Sequence, residues 1–370
     1  MIIDYDGKKQ EEDILANTPK AKLKIGFNKE AEDKLICADN LYVLKTMLDN
    51  NYSGKINLVY IDPPFSTNSS FRICDERANT VSSCTDDDIA YTDELVGDVF
   101  LEFLRERLIF LRELLSDNGS IYLHIDYKIG HYVKLLMDEI FGKNMFRNDI
   151  SRIKCNPKNF YRKAYGNIKG MILFYSKSNS YVWNEPLLPF SNVDKNKLFK
   201  KVAPDGRKYT TVPLHAPGET FQGETGSQWK GMYPPKGRHW RVSPSVLDEL
   251  DKQGLIEWSK NGIPRRKLFL DDKSGKRMQD IWEFKDPQYP YYPTEKNLDL
   301  LKFIIKTSSN EGDIVLDCFS GSGTTLVAAQ ELNRRWVGID KSEQAIKITK
   351  KKLAALPDTL FRRVDYSFFK

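Results

Sequence analysis

The stretch Leu58-Val59-Tyr60-Ile61-Asp62-Pro63-Pro64-Phe65 joins an apolar, β-branched run to two prolines. The run suits a buried strand, and the prolines fix φ and remove two backbone donors, so the strand ends at Asp62. That carboxylate then stands at the carboxyl end of a strand, where open α/β sheets bind their ligands, followed by a stiff loop presenting an aromatic ring. Such a geometry suits something flat and polar. Taken alone, the same residues also fit a strand closed by a proline turn with Asp62 as the local turn acceptor, so a second motif has to decide.

That motif lies downstream, in Asp313-Ile-Val-Leu-Asp317-Cys-Phe319-Ser-Gly321-Ser-Gly323-Thr324, which continues through an apolar stretch to Asn333-Arg-Arg-Trp-Val-Gly-Ile-Asp340. It has the organisation strand, glycine loop, helix, strand, acidic residue, which is that of a nucleoside half-site. The glycines let the backbone approach a ligand, and Asp340, 17 residues after Gly323, is placed for ribose hydroxyls. A dinucleotide site would need a third glycine where Leu326 stands, so a nucleoside without phosphates is the better fit.

Outward from these anchors, residues 1–24 are polar and charge-mixed, an arm or a first helix. Lys34 to Ala38 reads as a strand leading to Asp39, with a helix behind it carrying Leu41, Leu44 and Leu48. On its own Asp39 reads as a helix N-cap. Residues 66–93 are polar and unpatterned, a long loop beside the suspected site. A helix is expected over Glu94 to Leu115, stopped by Asn118-Gly119, then a strand over Ser120 to Ile125 and a helix over His131 to Phe141. His124 and His131 read as packed or capping residues rather than catalysts. Strands are expected at 150–153 and 171–175, joined by the basic-aromatic loop Lys158-Asn-Phe-Tyr-Arg-Lys163.

With 370 residues, 40% of them hydrophobic, the chain can hold two domains or one large domain with an inserted module. Five scattered cysteines without a C-x-x-C pair, and four histidines without ligand spacing, indicate neither a disulfide framework nor a metal site. The chain thus reads as reduced, intracellular and metal-free. It shows no signal pattern and no run near the ~18 apolar residues of a membrane span, so a soluble protein is expected. Residues 185–285 hold 19 Lys and Arg against 13 Asp and Glu, which is the whole net charge of +6. They also hold 9 of 17 prolines and 4 of 6 tryptophans, so they form a turn-rich module rather than more βα units. Within it Lys230, Arg238, Trp240, Arg241, Arg265, Arg266 and Lys267 interleave cations with rings, a combination suited to nucleic-acid phosphates and bases.

The order Asp62-Pro-Pro-Phe65, basic module, Phe319-x-Gly-x-Gly323 resembles the β-class amino methyltransferases of DNA, as do Phe103 to Asp126 and Gly237-Arg-His-Trp-Arg241. The resemblance covers nearly the whole chain. It implies an α/β fold of the S-adenosylmethionine-dependent methyltransferase type. That fold is a mostly parallel twisted sheet of seven strands, one reversed, with helices on both faces and an irregular inserted target-recognition module. Residues 1–184 would be the catalytic half, 185–285 the DNA-binding module and 286–370 the cofactor half.

Carried over by residue, the cofactor S-adenosyl-L-methionine would be lined by Phe319, Gly321 and Gly323, with Asp317 and Thr324 beside them. Asp340 would take its ribose, Asp39 its adenine amino group, and Thr294 and Lys296 would lie near its methionine carboxylate. Many relatives have proline after that lysine; this chain has Asn297. Asp62, Pro63, Pro64 and Phe65 would hold the target base.

The residue types agree with that chemistry. An exocyclic amine is a poor nucleophile because its lone pair is delocalised; a carboxylate and the Pro63 carbonyl accepting its two hydrogens favour a pyramidal nitrogen and stabilise developing charge. The base must be flipped out of the duplex, and Phe65 offers a ring to stack on. No metal is required. Asp at position 62, where relatives acting on cytosine N4 more often carry Ser, favours adenine N6. Three other readings stay open: cytosine N4, a catalytically silent DNA-binding relative, and a methyltransferase acting on protein glutamine or RNA, whose families tend to carry Asn before the prolines. Double-stranded DNA is the implied partner, with a homodimer and a cognate restriction endonuclease as further partners to look for, no membrane, and the bacterial cytoplasm as location.

Overall fold

The computed structural model describes residues 2–27, 30–64, 70–73, 78–79, 88–92, 97–157, 161, 163–272, 275–288, 295–357 and 364–370. The chain divides into two compact units, Met1–Pro186 with Gln279–Lys370, and Leu187–Met278.

One sheet organises the larger unit. Its strands are β1 (Ile25–Phe27), β2 (Asp33–Cys37), β3 (Ile56–Ile61), β4 (Leu115–Ile125), β5 (Phe146–Ile153), β6 (Lys169–Ser176), β7 (Ile281–Trp282), β8 (Ile314–Asp317), β9 (Arg335–Asp340) and β10 (Tyr366–Phe369). Their order in space is β1-β10-β2-β9-β8-β3-β4-β6-β5-β7. The six strands from β10 to β4 run parallel, β6 is reversed between β4 and β5, and β1 is reversed against β10. The sheet therefore has ten strands and two reversals, not the seven and one that the resemblance implied. The additions are short edge pieces: Lys24 and Lys370 exchange backbone hydrogen bonds of 2.7 and 2.8 Å, which zips β1 onto β10.

Seven α-helices lie among the unit's described residues: α1 (Glu11–Asn17), α2 (Asn40–Met47), α3 (Gly97–Leu114), α4 (Gly130–Phe141), α5 (Leu298–Ser308), α6 (Thr324–Glu331) and α7 (Glu343–Ala354). On one face α1, α2 and α4 pack around α3. Its Phe100, Leu104, Leu108 and Leu111 join Val59, Ile61, Ile121, Leu123, Leu316 and Val337 of the sheet in the main core. Strand side chains alternate in direction, so Tyr122 and Trp336 point the other way. They meet α5 and α6 through the hydrogen bonds Tyr122 Oη–Ser308 Oγ (2.8 Å) and Trp336 Nε1–Gln330 Oε1 (2.8 Å). Helices thus cover both faces. None among the described residues is long and apolar enough to cross a membrane.

Two local expectations change. The helix α3 stops at Leu114 and the chain enters β4 at once, so Asn118-Gly119 lies inside a strand rather than closing a helix. Gly119 is needed there because a Cβ would sit 3.0 Å from the Ile56 carbonyl, where the β3–β4 register shifts. Residues 66–93 contain three short antiparallel strands among those described, Ser70–Ile73, Ala78–Asn79 and Asp88–Thr92; their polar composition gave no alternation to read.

The smaller unit has a four-stranded sheet ordered Lys201–Val202, Lys208–Pro213, Pro264–Phe269, Ile256–Trp258, and a hairpin of His215–Pro217 with Arg238–Trp240. Its own core comprises Leu214, Trp229, Trp240, Leu247, Leu250 and Ile256.

Candidate active site

Because β2, β9, β8, β3 and β4 are neighbours and parallel, their carboxyl ends share one edge of the sheet. The sequence puts an ionisable residue at each end: Asp39, Asp340, Asp317, Asp62 and His124, in that spatial order. This is the edge at which open α/β sheets bind ligands.

The glycine loop between β8 and α6 is drawn tight by its own acidic residues. Asp317 accepts from the Phe319 amide (3.0 Å) and the Thr325 hydroxyl (2.6 Å), and burial raises its carboxyl to about 7. Asp340 accepts from the amides of Gly321 and Ser342, both at 2.8 Å, and burial raises its carboxyl too. Gly321 (φ 49°) and Gly323 (φ 74°) take the left-handed backbone the turn requires. A Cβ on Gly323 would lie 2.6 Å from Thr349 Cγ2. Thr324 opens α6, with its hydroxyl 3.3 Å from Ser322 Oγ.

The amides of residues 319, 320, 321 and 323 are all spent on Asp317, the Ile339 carbonyl, Asp340 and the Ser320 carbonyl. A pyrophosphate would need those donors, so the loop fits a nucleoside better than a dinucleotide. Leu326 packs against Gly338, where a Cβ would lie 2.3 Å from Leu326 Cδ1, so the close helix–strand approach is made by a glycine on the strand instead. The buried Ser320 hydroxyl, without a hydrogen-bond partner among the described residues, adds an unused polar group to the loop. Asp340 Oδ2 takes the Gly321 amide and Oδ1 the Ser342 amide, and a carboxylate oxygen can accept a further hydroxyl beside such a bond. The donor and acceptor set therefore fits an uncharged ribose and base.

Asp39 caps α2 through the Leu41 amide (2.9 Å) and also takes a hydrogen bond from Arg107 Nη2 (3.2 Å). Arg107 is buried in α3, stacked 3.6 Å over the Phe103 ring, with Nε donating to Asn40 Oδ1 (2.6 Å). Asn40 Nδ2 in turn donates to the Cys318 carbonyl (2.7 Å), and Phe319 packs on Phe103. Arg107 and Asn40 thus tie Asp39 to the glycine loop. A cation between Leu104 and Leu111 on the apolar face of α3 was the sequence signal for this network, since a buried guanidinium demands partners.

Asp62 follows β3 with its side chain 14% exposed. Its Oδ2 is ion-paired with Lys296, in the segment leading into α5. Its Oδ1 is buried, has no hydrogen-bond partner among the described residues and lies 3.8 Å from Nδ1 of His124. Burial raises the Asp62 carboxyl and Lys296 opposes that rise. His124 is packed, as expected, but it also forms a wall of this centre. Its Nδ1 is 3.3 Å from the Tyr60 hydroxyl, and a Cβ on Gly170 would lie 2.7 Å from its Nε2. Burial, together with Lys296, Arg152 and Lys154, holds the imidazole neutral. Lys296, expected beside a methionine carboxylate, is the residue that pairs with Asp62. Pro63 and Pro64 follow directly; Phe65 and Thr294 lie outside the described residues.

In the smaller unit, Arg238, Arg241 and Arg266 are exposed. Arg238 Nη1 lies 3.1 Å from His215 Nδ1. Lys230 is paired with Asp251, Arg265 donates to Thr211 Oγ1 (3.0 Å) and O (2.9 Å), and Lys267 donates to the Gly254 carbonyl (2.9 Å). Trp240 requires a correction: it is 3% exposed, with Nε1 donating to the Ser227 carbonyl, so its ring is a core element and not a stacking face. The exposed rings of this unit include Phe221 and Tyr233 instead. Among the described residues no group of His, Cys, Asp or Glu is arranged to hold a metal ion.

Comparison with known proteins yields a consistent set of likenesses. A family model described as DNA methylase, with amino N6 and N4 members in its name, matches residues 56–351. The chain is 40% identical over 366 residues to the type II methyltransferase M.EcaI of Enterobacter cloacae, covering 96% of this chain and 78% of that one. It is 29% identical over 344 residues to the Mod subunit of the type III restriction-modification enzyme StyLTI of Salmonella typhimurium, covering 83% of this chain but only 51% of the relative. Among solved structures, the PvuII DNA methyltransferase, described as cytosine-N4-specific, superposes with a TM-score of 0.50 at 11% identity, over 89% of this chain and 88% of that one. At that identity the likeness concerns the fold.

Proposed function

The chain belongs to the DNA methylase family, and from that premise we propose that it methylates the N6 amino group of adenine in duplex DNA, with S-adenosyl-L-methionine as the methyl donor. The observation that carries this reading is Asp62. Its carboxylate closes β3, one strand from the glycine loop, and its buried Oδ1 has no hydrogen-bond partner among the described residues, which leaves it open to accept an amino hydrogen.

Bound S-adenosylmethionine supplies an electrophilic methyl group on a sulfonium sulfur. Asp340 is suited to the ribose hydroxyls, Asp39, held by Arg107 and Asn40, to the adenine amino group, and Gly321 and Gly323 to the close backbone approach. With Lys296 opposing the upward pull of burial on the Asp62 carboxyl, Oδ1 and the Pro63 carbonyl accept the two amino hydrogens of the flipped base. Asp62 would accept one of those protons once the amino nitrogen is methylated. Phe65 is assigned the stacking face. Asp rather than Ser at position 62 favours adenine over cytosine.

Unit Leu187–Met278, with exposed Arg238, Arg241 and Arg266, is assigned target recognition. The relatives' names support a modification enzyme paired with a restriction endonuclease, acting on DNA in the bacterial cytoplasm, with a homodimer as the assembly to test for. The deciding experiment is digestion of methylated, sequence-diverse duplex DNA to nucleosides and identification of the product by mass spectrometry. N6-methyladenine is expected. N4-methylcytosine would keep the chemistry and overturn the base, and no methylated base would return the chain to the silent-scaffold reading or to another substrate.

A further inference from the structure

The connection between β5 and β6 holds no residue assigned to the cofactor or the target base above. Between Asp149 and Glu185 the sequence contains no acidic residue, yet it carries Arg152, Lys154, Lys158, Arg162, Lys163, Lys169 and Lys177. Most of these flank or occupy a single loop. Its base is pinned by backbone hydrogen bonds from the Lys154 amide to the Ile168 carbonyl and from the Asp286 amide to the Lys154 carbonyl, both 2.9 Å. Arg152, fully buried, reinforces the base by donating to the Phe284 carbonyl (2.7 Å) and pairing with Asp286.

Beyond that base two tyrosines face outward, Tyr161 at 91% and Tyr165 at 98% exposed. Lys163 and Lys169 are exposed, with no carboxylate partner among the described residues. One exposed ring needs no explanation. Two rings almost wholly in water, beside unpaired cations on an acid-free segment, gain nothing from the fold and match what binds a nucleic-acid strand: charge for phosphates and faces for bases.

The position selects the partner. Strand β5 is parallel to β3, so its loop leaves from the same sheet edge as Asp62. The loop's return point is adjacent to the centre itself: Gly170 packs on the imidazole of His124, whose other nitrogen is 3.8 Å from Asp62 Oδ1. We infer that the β5–β6 loop is a second DNA contact, independent of unit Leu187–Met278, in which Lys163 and Lys169 hold backbone phosphates beside the flipped nucleotide and Tyr161 and Tyr165 stack on exposed bases. The inference rests on the reading that duplex DNA is the substrate. The contact is blind to sequence, because phosphates and ring faces carry no base code.

The test uses the full chain and a fluorescein-labelled duplex, with dissociation constants measured by anisotropy across a salt series. Lys163→Gln/Lys169→Gln is expected to bind more weakly, with the slope of log affinity against log salt shallower by about 0.9 for each phosphate that the variant no longer neutralises. Tyr161→Ala/Tyr165→Ala is expected to bind about tenfold more weakly with the salt slope unchanged. Both should retain the wild-type melting temperature and S-adenosylmethionine affinity, since all four side chains are exposed. Wild-type affinity and slope in both variants, with wild-type protein binding the duplex, would overturn the role of the loop alone. Failure of the wild type to bind DNA would overturn the substrate reading and the role of the loop together.

Discussion

The ammonium of Lys296 is ion-paired with the carboxylate of Asp62, though 234 residues separate them in the chain. The pair joins the segment before α5 to the end of β3 and bears on the ionisation of the central carboxylate. Burial raises the Asp62 carboxyl, and Lys296 is the strongest influence in the opposite direction. With Lys296→Met the opposition disappears, so Asp62 holds its proton to a higher pH. The acid limb of the kcat profile is expected to move upward by about one pH unit, the low end for loss of an adjacent opposite charge. An unmoved limb would separate Lys296 from the ionisation that limits turnover.

Gly323 combines a φ of 74° with a wall formed by Thr349, 2.6 Å from where a Cβ would sit. Gly323→Ala must therefore adopt left-handed backbone and displace α7. A loss of about 1–3 kcal/mol of stability is expected, together with weakened cofactor binding, measurable by denaturant unfolding and calorimetric titration.

Arg107 touches Asp39 through Nη2 and Asn40 through Nε. Arg107→Met keeps the packing on Phe103 but frees both partners. Cofactor affinity is expected to fall about tenfold, the worth of one charge-assisted hydrogen bond, with little change in DNA affinity. Arg107→Lys should recover little, because a single ammonium cannot reproduce the fork. Equal losses of cofactor and DNA affinity would point to general unfolding instead.

Asp317 gives a stability signature. Its carboxyl is raised to about 7 by burial, whereas in the unfolded chain it titrates near the usual value of about 4. Between those limits the folded state holds a proton that the unfolded state has released, so this group's contribution to stability falls as pH rises from about 4 through 7. Asp317→Asn removes that dependence while keeping an acceptor for the Phe319 amide. Relative to wild type, the variant is expected to gain on the order of 2 kcal/mol between pH 5 and pH 8. A constant difference between the two proteins across that range would contradict it.

What the sequence made legible was whatever local chemistry forces. Two prolines must end β3 at Asp62, two glycines must open the turn before α6, and Leu104, Leu108 and Leu111 must bury one face of α3. What it hid depended on distant partners. No pattern around Lys296 points to Asp62, and nothing local shows that the imidazole of His124 rests on Gly170. Trp240 looked like a stacking ring because cations flank it, but the fold of unit Leu187–Met278 uses it as core. Strand β1, three residues long, is defined only by its exchange with the C-terminal strand.

The central claim is that Asp62 accepts the amino hydrogen of the base while the rest of the site assembles around it. It is tested most directly by single-turnover methyl transfer from radiolabelled S-adenosylmethionine to duplex DNA, comparing wild type with Asp62→Asn, with cofactor and DNA binding measured separately. The account predicts that the variant binds both ligands within a fewfold of wild type and transfers methyl at least about a thousandfold more slowly, since an amide cannot take the proton. Transfer within about tenfold of the wild-type rate, with binding intact, would contradict it.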